Sequence, residues 1–193
     1  MNAMCRAISG ACLAAAVLLG GANAGAVEVV GVKLEDSVRS DAGELVLNGA
    51  GLRTKFVFKV YVAALYLPQK ERSAAAILQG DGPRRVVLHM LRNVEGESLH
   101  EALDEGLRNN LPAAALDALK TPLARLGQVF RAIGEAKEGD LIQLDISTAG
   151  LAVTVNGRVR DQIASEALGR ALLRVWLGDK PADGALKNAL LGK

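Results

Sequence analysis

The hydrophobic pattern of the chain is organised around residues 45–67. A short apolar run leads into Asn48-Gly49-Ala50-Gly51, and residues 56–67 form a second apolar run in which Lys59 is the only full charge. A strand that is apolar on both faces usually lies in the middle of a sheet and is covered on both sides. The pattern therefore predicts two strands, residues 45–48 and 56–67, joined as a hairpin through the glycines.

The rest of the chain alternates between strand and helix patterns. Strands are predicted over residues 27–32, 84–91, 140–147 and 151–155, and Asn156-Gly157 is a tight-turn signal. Helices are predicted over residues 73–78, from the capping-box pattern of Ser98 and Glu101 up to Pro112, over 113–119, 122–133 and 162–177, and after Asp183. Strands joined by hairpins, with the helices grouped between them, predict an α+β fold in which helices cover one face of an antiparallel sheet.

The first two dozen residues have the pattern of a secretory signal peptide. Arg6 precedes an apolar segment, residues 7–21, that is too short to span a bilayer, and Ala22-Asn23-Ala24 offers small residues at the cleavage positions. We predict a signal peptide over residues 1–24, a single domain over 25–193, and a secreted, periplasmic protein with no membrane-spanning segment in the mature chain. An uncleaved anchor helix is the alternative.

Composition excludes several classes of function. Both cysteines lie inside the predicted signal peptide, so the mature chain would have no thiol for a disulfide, for catalysis or for a metal. A net charge of +2 and 3% aromatic residues argue against nucleic acid as a partner. His89 and His100 stand without converging ligands, and no serine lies in a Gly-x-Ser-x-Gly motif. We therefore predict no metal and no cofactor, and the sequence leaves the oligomeric state open.

Arg53, Lys59 and Tyr61 are the candidate site residues. A guanidinium beside a phenol hydroxyl is a good receptor for a carboxylate. Arg53 and Tyr61 can meet only if the chain folds back near residues 54–55, because eight residues of straight strand would separate them by roughly 26 Å. Without that fold, Lys59 becomes the better cation. The structural alternative is that Arg53 pairs with Glu44 or Asp140 and that the tyrosines fill the core.

These residues also fall in a recognisable pattern. Gly49-x-Gly51-x-Arg53, followed by Lys59-x-Tyr61-x-x-x-Leu65-Tyr66, resembles the signature of chalcone isomerase-like proteins, and residues 141–147, 151–157 and 175–181 agree with that family in order. Signal peptides are typical of its bacterial exported branch. The resemblance implies an open-faced β-sandwich, that is, a large antiparallel sheet with a helical layer on one face and a ligand cleft between them.

The resemblance implies two different functions, because the family has an enzymatic branch and a fatty-acid-binding branch. Arg53 matches the arginine that positions or polarises the substrate in plant chalcone isomerases, which are intramolecular lyases. Three polar positions of those enzymes fall here near Leu99, Glu105–Gly106 and Val175, so the resemblance speaks against chalcone isomerisation. Fatty-acid-binding relatives hold a carboxylate with the arginine and a tyrosine, and Arg53 with Tyr61 resembles that arrangement.

The leading hypothesis is therefore an exported binder of a lipophilic carboxylate, such as a fatty acid, that is non-catalytic or weakly catalytic and lacks chalcone isomerase activity. Arg53 and Tyr61 would hold the carboxylate, with Lys59 as the alternative cation, and Arg53 would be catalytic only in an isomerase. The predicted apolar wall consists of Phe58, Val60, Leu99, Leu103, Leu107, Leu172 and Val175. Two alternatives stay open: an isomerase of the intramolecular lyase type, and an envelope accessory protein that acts through a protein partner.

Overall fold

The structure, a computed structural model, describes residues 27–41 and 43–193. The predicted signal peptide lies outside these residues. The strands are β1 (Val27–Val29), β2 (Val32–Leu34), β3 (Ser37–Ser40), β4 (Gly43–Lys55), β5 (Phe58–Leu67), β6 (Arg84–Met90), β7 (Val94–Glu95), β8 (Glu135–Ala136), β9 (Leu141–Ser147), β10 (Gly150–Val155) and β11 (Arg158–Ile163). The helices are α1 (Ala74–Gln79), α2 (Gly96–Asn110), α3 (Ala113–Ala118), α4 (Lys120–Ile133), α5 (Glu166–Leu177) and α6 (Gly184–Leu190).

A seven-stranded sheet forms the body of the molecule, in the order β11-β10-β9-β6-β5-β4-β3. Every neighbouring pair of strands in it is antiparallel. The strands β1 and β2 form a separate two-stranded ribbon, and β7 pairs with β8. Helices α2, α4 and α5 pack with one face of the large sheet in a shared core. The predicted α+β class and the open-faced arrangement are confirmed.

The apolar strand β5 is buried on both faces, as its sequence predicts. Tyr61 and the alternate residues up to Leu67 pack in the core that the sheet shares with the helices. Val62 and the alternate residues up to Tyr66 pack in a second core, which the β1–β2 ribbon helps to cover. All seven residues from Tyr61 to Leu67 are buried, which explains why this strand has no polar face.

The hairpin that contains β5 turns at a different place from the predicted one. The glycines do not form the turn, because β4 continues through them to Lys55 and the chain reverses at Phe56-Val57. A Cβ on Gly49 would lie 2.1 Å from the carbonyl oxygen of Ala189 in α6. Glycine in the middle of a strand often marks such a close backbone approach rather than a turn.

Some of the predicted helix starts hold and others fail. Ser73 caps α1 and Asp183 caps α6, since each side chain accepts a hydrogen bond from a backbone N–H of the first turn. The capping-box prediction at Ser98 is wrong, because α2 begins at Gly96, whose N–H donates to the carbonyl of Gly134 instead. The predicted helix from residue 162 starts later, since residues 158–163 are strand β11. None of the helices in the described part of the chain is both long and apolar enough to cross a bilayer.

Candidate ligand-binding site

The β4–β5 hairpin places Arg53 directly opposite Tyr61. The two residues are cross-strand partners in the antiparallel ladder, because the reversal at Phe56-Val57 folds the end of β4 back along the start of β5. The register shifts by one residue between Arg53 and Thr54, which marks a bulge beside the pair. The chain therefore folds back as it must if Arg53 and Tyr61 are to contact the same carboxylate.

A cavity of about 530 Å³ opens beside this pair, between the sheet and the helices. Its apolar walls come from β5, β6, α2, α4 and α5, and its polar lining comes from the hairpin, the β6–α2 connection, α2 and the segment after α5. Apolar lining residues include Phe58, Val60, Leu88, Leu99, Ala102, Leu103, Phe130, Val175 and Trp176, and polar ones include Arg53, Lys55, Tyr61, Arg92, Glu95 and Glu105. A cavity of this volume and character falls within the range of small-molecule sites.

Tyr61 sits at the inner wall with its hydroxyl oxygen already engaged. Tyr61 is 8% exposed, and the indole Nε1 of Trp176 donates a hydrogen bond of 3.1 Å to the Tyr61 Oη. Burial raises the pKa of Tyr61, and the bond from Trp176 and the charge of Arg53 only partly oppose that effect. The phenol is thus neutral at ordinary pH. Since the Tyr61 oxygen accepts from Trp176, its own proton is left to donate to a ligand.

Arg53 is partly exposed and is held by its own neighbours. Its Nη1 lies 3.6 Å from Oδ2 of Asp183, with side-chain exposures of 19% and 16%, and it also donates to the Thr54 carbonyl. The same carboxylate oxygen of Asp183 accepts from the Thr54 backbone N–H at 3.4 Å. The alternative in which Arg53 pairs with Glu44 or Asp140 is wrong, because the carboxylate that Arg53 contacts is that of Asp183. An internal carboxylate therefore already contacts one side of the candidate receptor.

Lys59 lies apart from the cavity. It is exposed, and its neighbours along β5, Phe58 and Val60, contribute to the lining whereas Lys59 does not. The guanidinium carbon of Arg92 lies 4.8 Å from the centre of the Phe58 ring, at the outer edge of the cavity. The geometry favours Arg53 over Lys59 as the cation that faces a ligand, and the role of Lys59 stays a prediction.

The histidines lie outside the cavity lining. His89 is half-buried in β6, where burial lowers its pKa, and His100 lies in α2 with its Nε2 against the position of Gly127. Within residues 27–41 and 43–193, no group of three or more His, Cys, Asp or Glu side chains is placed to hold a metal ion.

The arrangement at Arg53 and Tyr61 offers a cation and a neutral hydrogen-bond donor next to an apolar wall.

Comparison with known protein families gives one match over nearly the whole described chain. The family model described as chalcone isomerase-like matches residues 26–192. The chain belongs to the chalcone isomerase-like family. Its cavity between sheet and helices lies where the resemblance in the sequence implies a cleft.

A solved structure supports the same fold. The crystal structure of a fatty-acid binding protein from Arabidopsis thaliana superposes with a TM-score of 0.66, covering 83% of this chain and 92% of that one, at 17% sequence identity. At this level of identity, the likeness shows the chalcone isomerase-like fold alone.

Curated sequences of another kind also match over part of their length. They include the large ribosomal subunit protein uL2cy of Populus alba, 26% identical over 147 residues, and uL2cz/uL2cy of Oenothera biennis, 28% identical over 139 residues. These alignments cover 66% and 62% of this chain, and 54% and 51% of the two ribosomal proteins. The chain spans about half the length of these relatives, and at this identity they do not define its family.

The sequence identified part of the candidate site and missed two side chains that contact Arg53 or Tyr61. Leu99, Glu105, Gly106 and Val175, aligned with polar positions of plant isomerases, do line the cavity of this chalcone isomerase-like protein. Of the seven predicted wall residues, Leu107 and Leu172 lie in the core instead. The missed members are Trp176 and Asp183. Trp176 lies inside the family-like segment 175–181, and Asp183 was expected only as a helix cap, so neither carried a signal for its polar contact.

Proposed function

We propose that this chalcone isomerase-like protein binds a lipophilic carboxylate of the fatty-acid kind in the cavity between sheet and helices. The single observation that carries the proposal is the position of Arg53 and Tyr61, directly opposite each other and both facing the cavity. The exported, periplasmic location predicted from the sequence is part of the proposal.

The chemistry assigns one task to each residue. The Arg53 guanidinium supplies positive charge and a planar set of donors that matches two carboxylate oxygens. The neutral Tyr61 hydroxyl adds a further donor, oriented because Trp176 occupies its oxygen. The acyl chain would lie against apolar side chains such as Leu99 and Val175. Burial of that chain supplies most of the affinity, and the polar pair selects for the acid.

The structural neighbour from Arabidopsis supports this choice among the family's functions, since it is a fatty-acid binding protein of the same fold. The lining supports it as well. Leu99 and Val175 present no polar atoms where the resemblance expects polar groups in an isomerase.

The proposal is tested by native mass spectrometry of the purified protein with a panel of saturated and unsaturated fatty acids. Arg53→Gln should weaken binding by about ten-fold to one hundred-fold, the range expected for losing hydrogen bonds to a charged group. Lys59→Gln removes the same charge from a side chain outside the lining and should bind like the wild type. If no acyl species binds, or if the two variants behave alike, the proposal is wrong.

The intramolecular lyase alternative rests on the match of Arg53 to the plant isomerases' arginine. It is tested by adding a chalcone and following the loss of its visible absorbance. A rate above that of buffer, abolished in Arg53→Gln and retained in Lys59→Gln, would favour the isomerase over the binder.

A further inference from the structure

The tip of the β4–β5 hairpin exposes three consecutive large apolar residues. Phe56 is 88% exposed, Val57 85% and Phe58 56%. Large apolar side chains that are exposed elsewhere in the described chain include Val30, in the β1–β2 turn, and Val159, in β11. Single exposed apolar residues are normal, but a continuous group at one protruding tip indicates a surface that meets something apolar.

The backbone of this tip also departs from what its residues prefer. Phe56 has a φ of 56°, in the left-handed region that bulky residues avoid. Asparagine or glycine would adopt that conformation at a lower cost. Local turn chemistry therefore does not account for a phenylalanine at this position, which indicates a role for its side chain beyond forming the turn.

The charged side chains of the hairpin tip itself have one sign. Lys55 and Lys59 flank the three apolar residues and are both exposed. The chain has no acidic residue between Glu44 and Glu71. Arg92 adds a further exposed cation by lying over the ring of Phe58. An apolar tip with a collar of cations is complementary to a lipid surface with anionic headgroups.

The tip is also the mouth of the cavity. Lys55, Phe56 and Phe58 all belong to the cavity lining, although all three are exposed. A bilayer that receives the tip would therefore lie against the cavity opening. A protein partner is the less fitting occupant, because a specific interface needs roughly 20–30 residues from each side and the apolar group here is three residues.

We propose that the β4–β5 hairpin tip docks on bilayers that contain anionic phospholipids. Phe56, Val57 and Phe58 enter the boundary between headgroups and acyl chains, while Lys55 and Lys59 contact the headgroup phosphates. The proposal goes beyond ligand binding and does not depend on it, since docking requires no contact with Tyr61.

The test is cosedimentation of residues 25–193, the predicted mature chain, with vesicles of equal parts phosphatidylglycerol and phosphatidylcholine, and with vesicles of phosphatidylcholine alone. The wild type should bind the anionic vesicles more tightly, and binding should weaken as salt rises to about 1 M, where the screening length is about 3 Å. Phe56→Asn should bind at least about ten-fold more weakly, the effect of withholding one phenylalanine from an apolar phase. This variant suits the left-handed backbone, so loss of folding will not obscure the result.

Matched control variants distinguish an effect of the tip on vesicle binding from the effect of similar changes elsewhere on the surface. Val30→Asn makes a similar change at another exposed apolar residue with a left-handed backbone, φ 50°, in the β1–β2 turn, and should bind like the wild type. Lys55→Gln with Lys59→Gln should weaken binding roughly 25-fold, at about five-fold per cation near the surface. Lys70→Gln with Arg72→Gln removes the same charge beyond the other end of β5 and should have little effect.

The outcomes that overturn the proposal are distinct from those that overturn fatty-acid binding. Tyr61→Phe should lose affinity for fatty acids and still bind vesicles. If the wild type ignores anionic vesicles, or if Phe56→Asn and Val30→Asn bind them equally, the docking proposal is wrong. If light scattering instead shows a dimer that Phe56→Asn dissociates, the tip is a protein interface and the membrane proposal is also wrong.

Discussion

Two of the hairpins of the large sheet, β4–β5 and β10–β11, each turn through two residues, and they do so with opposite chemistry. The β10–β11 turn uses Asn156 and Gly157, with φ values of 51° and 74°. The Asn156 side chain accepts from the Leu141 N–H and donates to Asp140, both at 2.8 Å. The β4–β5 turn uses Phe56 and Val57, which are exposed and make no such polar contacts in the described structure. The strand registers place both turns at the same end of the sheet.

The residues of the β10–β11 turn stabilise the fold, whereas those of the β4–β5 turn form an exposed apolar surface. Asn156-Gly157 suits the left-handed backbone of a tight hairpin and ties it to the neighbouring strand. In the β4–β5 turn, the left-handed backbone of Phe56 is conformationally costly, and the turn lies at the mouth of the cavity lined by Arg53 and Tyr61. The first turn is explained by local chemistry, whereas the second is explained by the docking on a bilayer that we propose for its apolar residues.

Transferring one turn to the other should produce the largest effect. Asn156→Phe with Gly157→Val places bulky residues in two left-handed positions and removes the hydrogen bonds of the Asn156 side chain. We expect a loss of about 3 kcal/mol in the free energy of unfolding, at about 1–2 kcal/mol per left-handed residue plus the lost bonds. Urea denaturation measures it. Val159→Ser, an exposed change in the same hairpin, is the control, and a comparable loss in that variant would contradict the explanation.

Alkaline titration should act on the β4–β5 side of the sheet, because both tyrosines of the chain lie in β5. Burial raises the pKa of Tyr66 to about 12, from an ordinary value of 10.0, and raises that of Tyr61 as well. The folded state therefore keeps these protons more tightly than the unfolded chain. The free energy of unfolding should be unaffected by the tyrosines below pH 10 and should fall as the pH rises toward 12.

The measurement is urea denaturation across this pH range, with phenolate absorbance to follow ionisation. Tyr66→Phe removes one of the two groups and should flatten the decline, although it also loses the hydrogen bond to the Glu35 carbonyl. A decline of unchanged steepness in this variant would show that other groups cause the alkaline loss.

Relieving the apolar turn should stabilise the fold. Phe56→Asn puts a residue that tolerates the left-handed region in place of one that does not, and we expect a gain of about 1 kcal/mol in the free energy of unfolding. Val30→Asn should behave in the same direction, since Val30 shares that backbone conformation. The pair sharpens the comparison, because both variants gain stability while only Phe56→Asn should lose vesicle binding. A stability loss in Phe56→Asn would mean that the exposed ring supports the fold.

The smallest expected effect concerns the carboxylate that contacts Arg53. Asp183→Asn removes the competing charge but keeps a good helix cap for α6, since asparagine and aspartate are nearly equivalent there. Fatty-acid affinity should rise by about three-fold, in keeping with the modest strength of a partly exposed ion pair. Isothermal titration measures it. Weaker binding would show that Asp183 holds Arg53 in its productive position.

Sequence patterns predicted the parts of the fold whose causes are local. The cap at Ser73, the cap at Asp183 and the turn at Asn156-Gly157 each follow from a side chain acting on its own backbone neighbours. The burial of β5 follows from an apolar run with no polar face. Arg53 and Tyr61 were identified from residue type and resemblance, and their meeting was correctly made to depend on a fold-back near residue 54.

The features that the sequence did not predict depend on contacts between segments far apart in the chain. The glycines of β4 looked like a turn because glycine usually marks one, but Gly51, like Gly49, is needed for the approach of α6, which lies more than a hundred residues later. The partner of Tyr61 is a tryptophan in α5, and the partner of Arg53 is the cap of α6. No local pattern carries such pairings.

The sequence by itself determined the class of fold, the central strand and the candidate residues for the proposed carboxylate site. Periodicity, caps and turn residues act over a few positions, so their effects can be predicted from neighbours. Only the tertiary structure decided where the hairpin turns, which carboxylate contacts Arg53, and that the apolar tip forms the mouth of the cavity. Those outcomes depend on how helices α5 and α6 pack against the sheet, and packing is a property of the assembled chain.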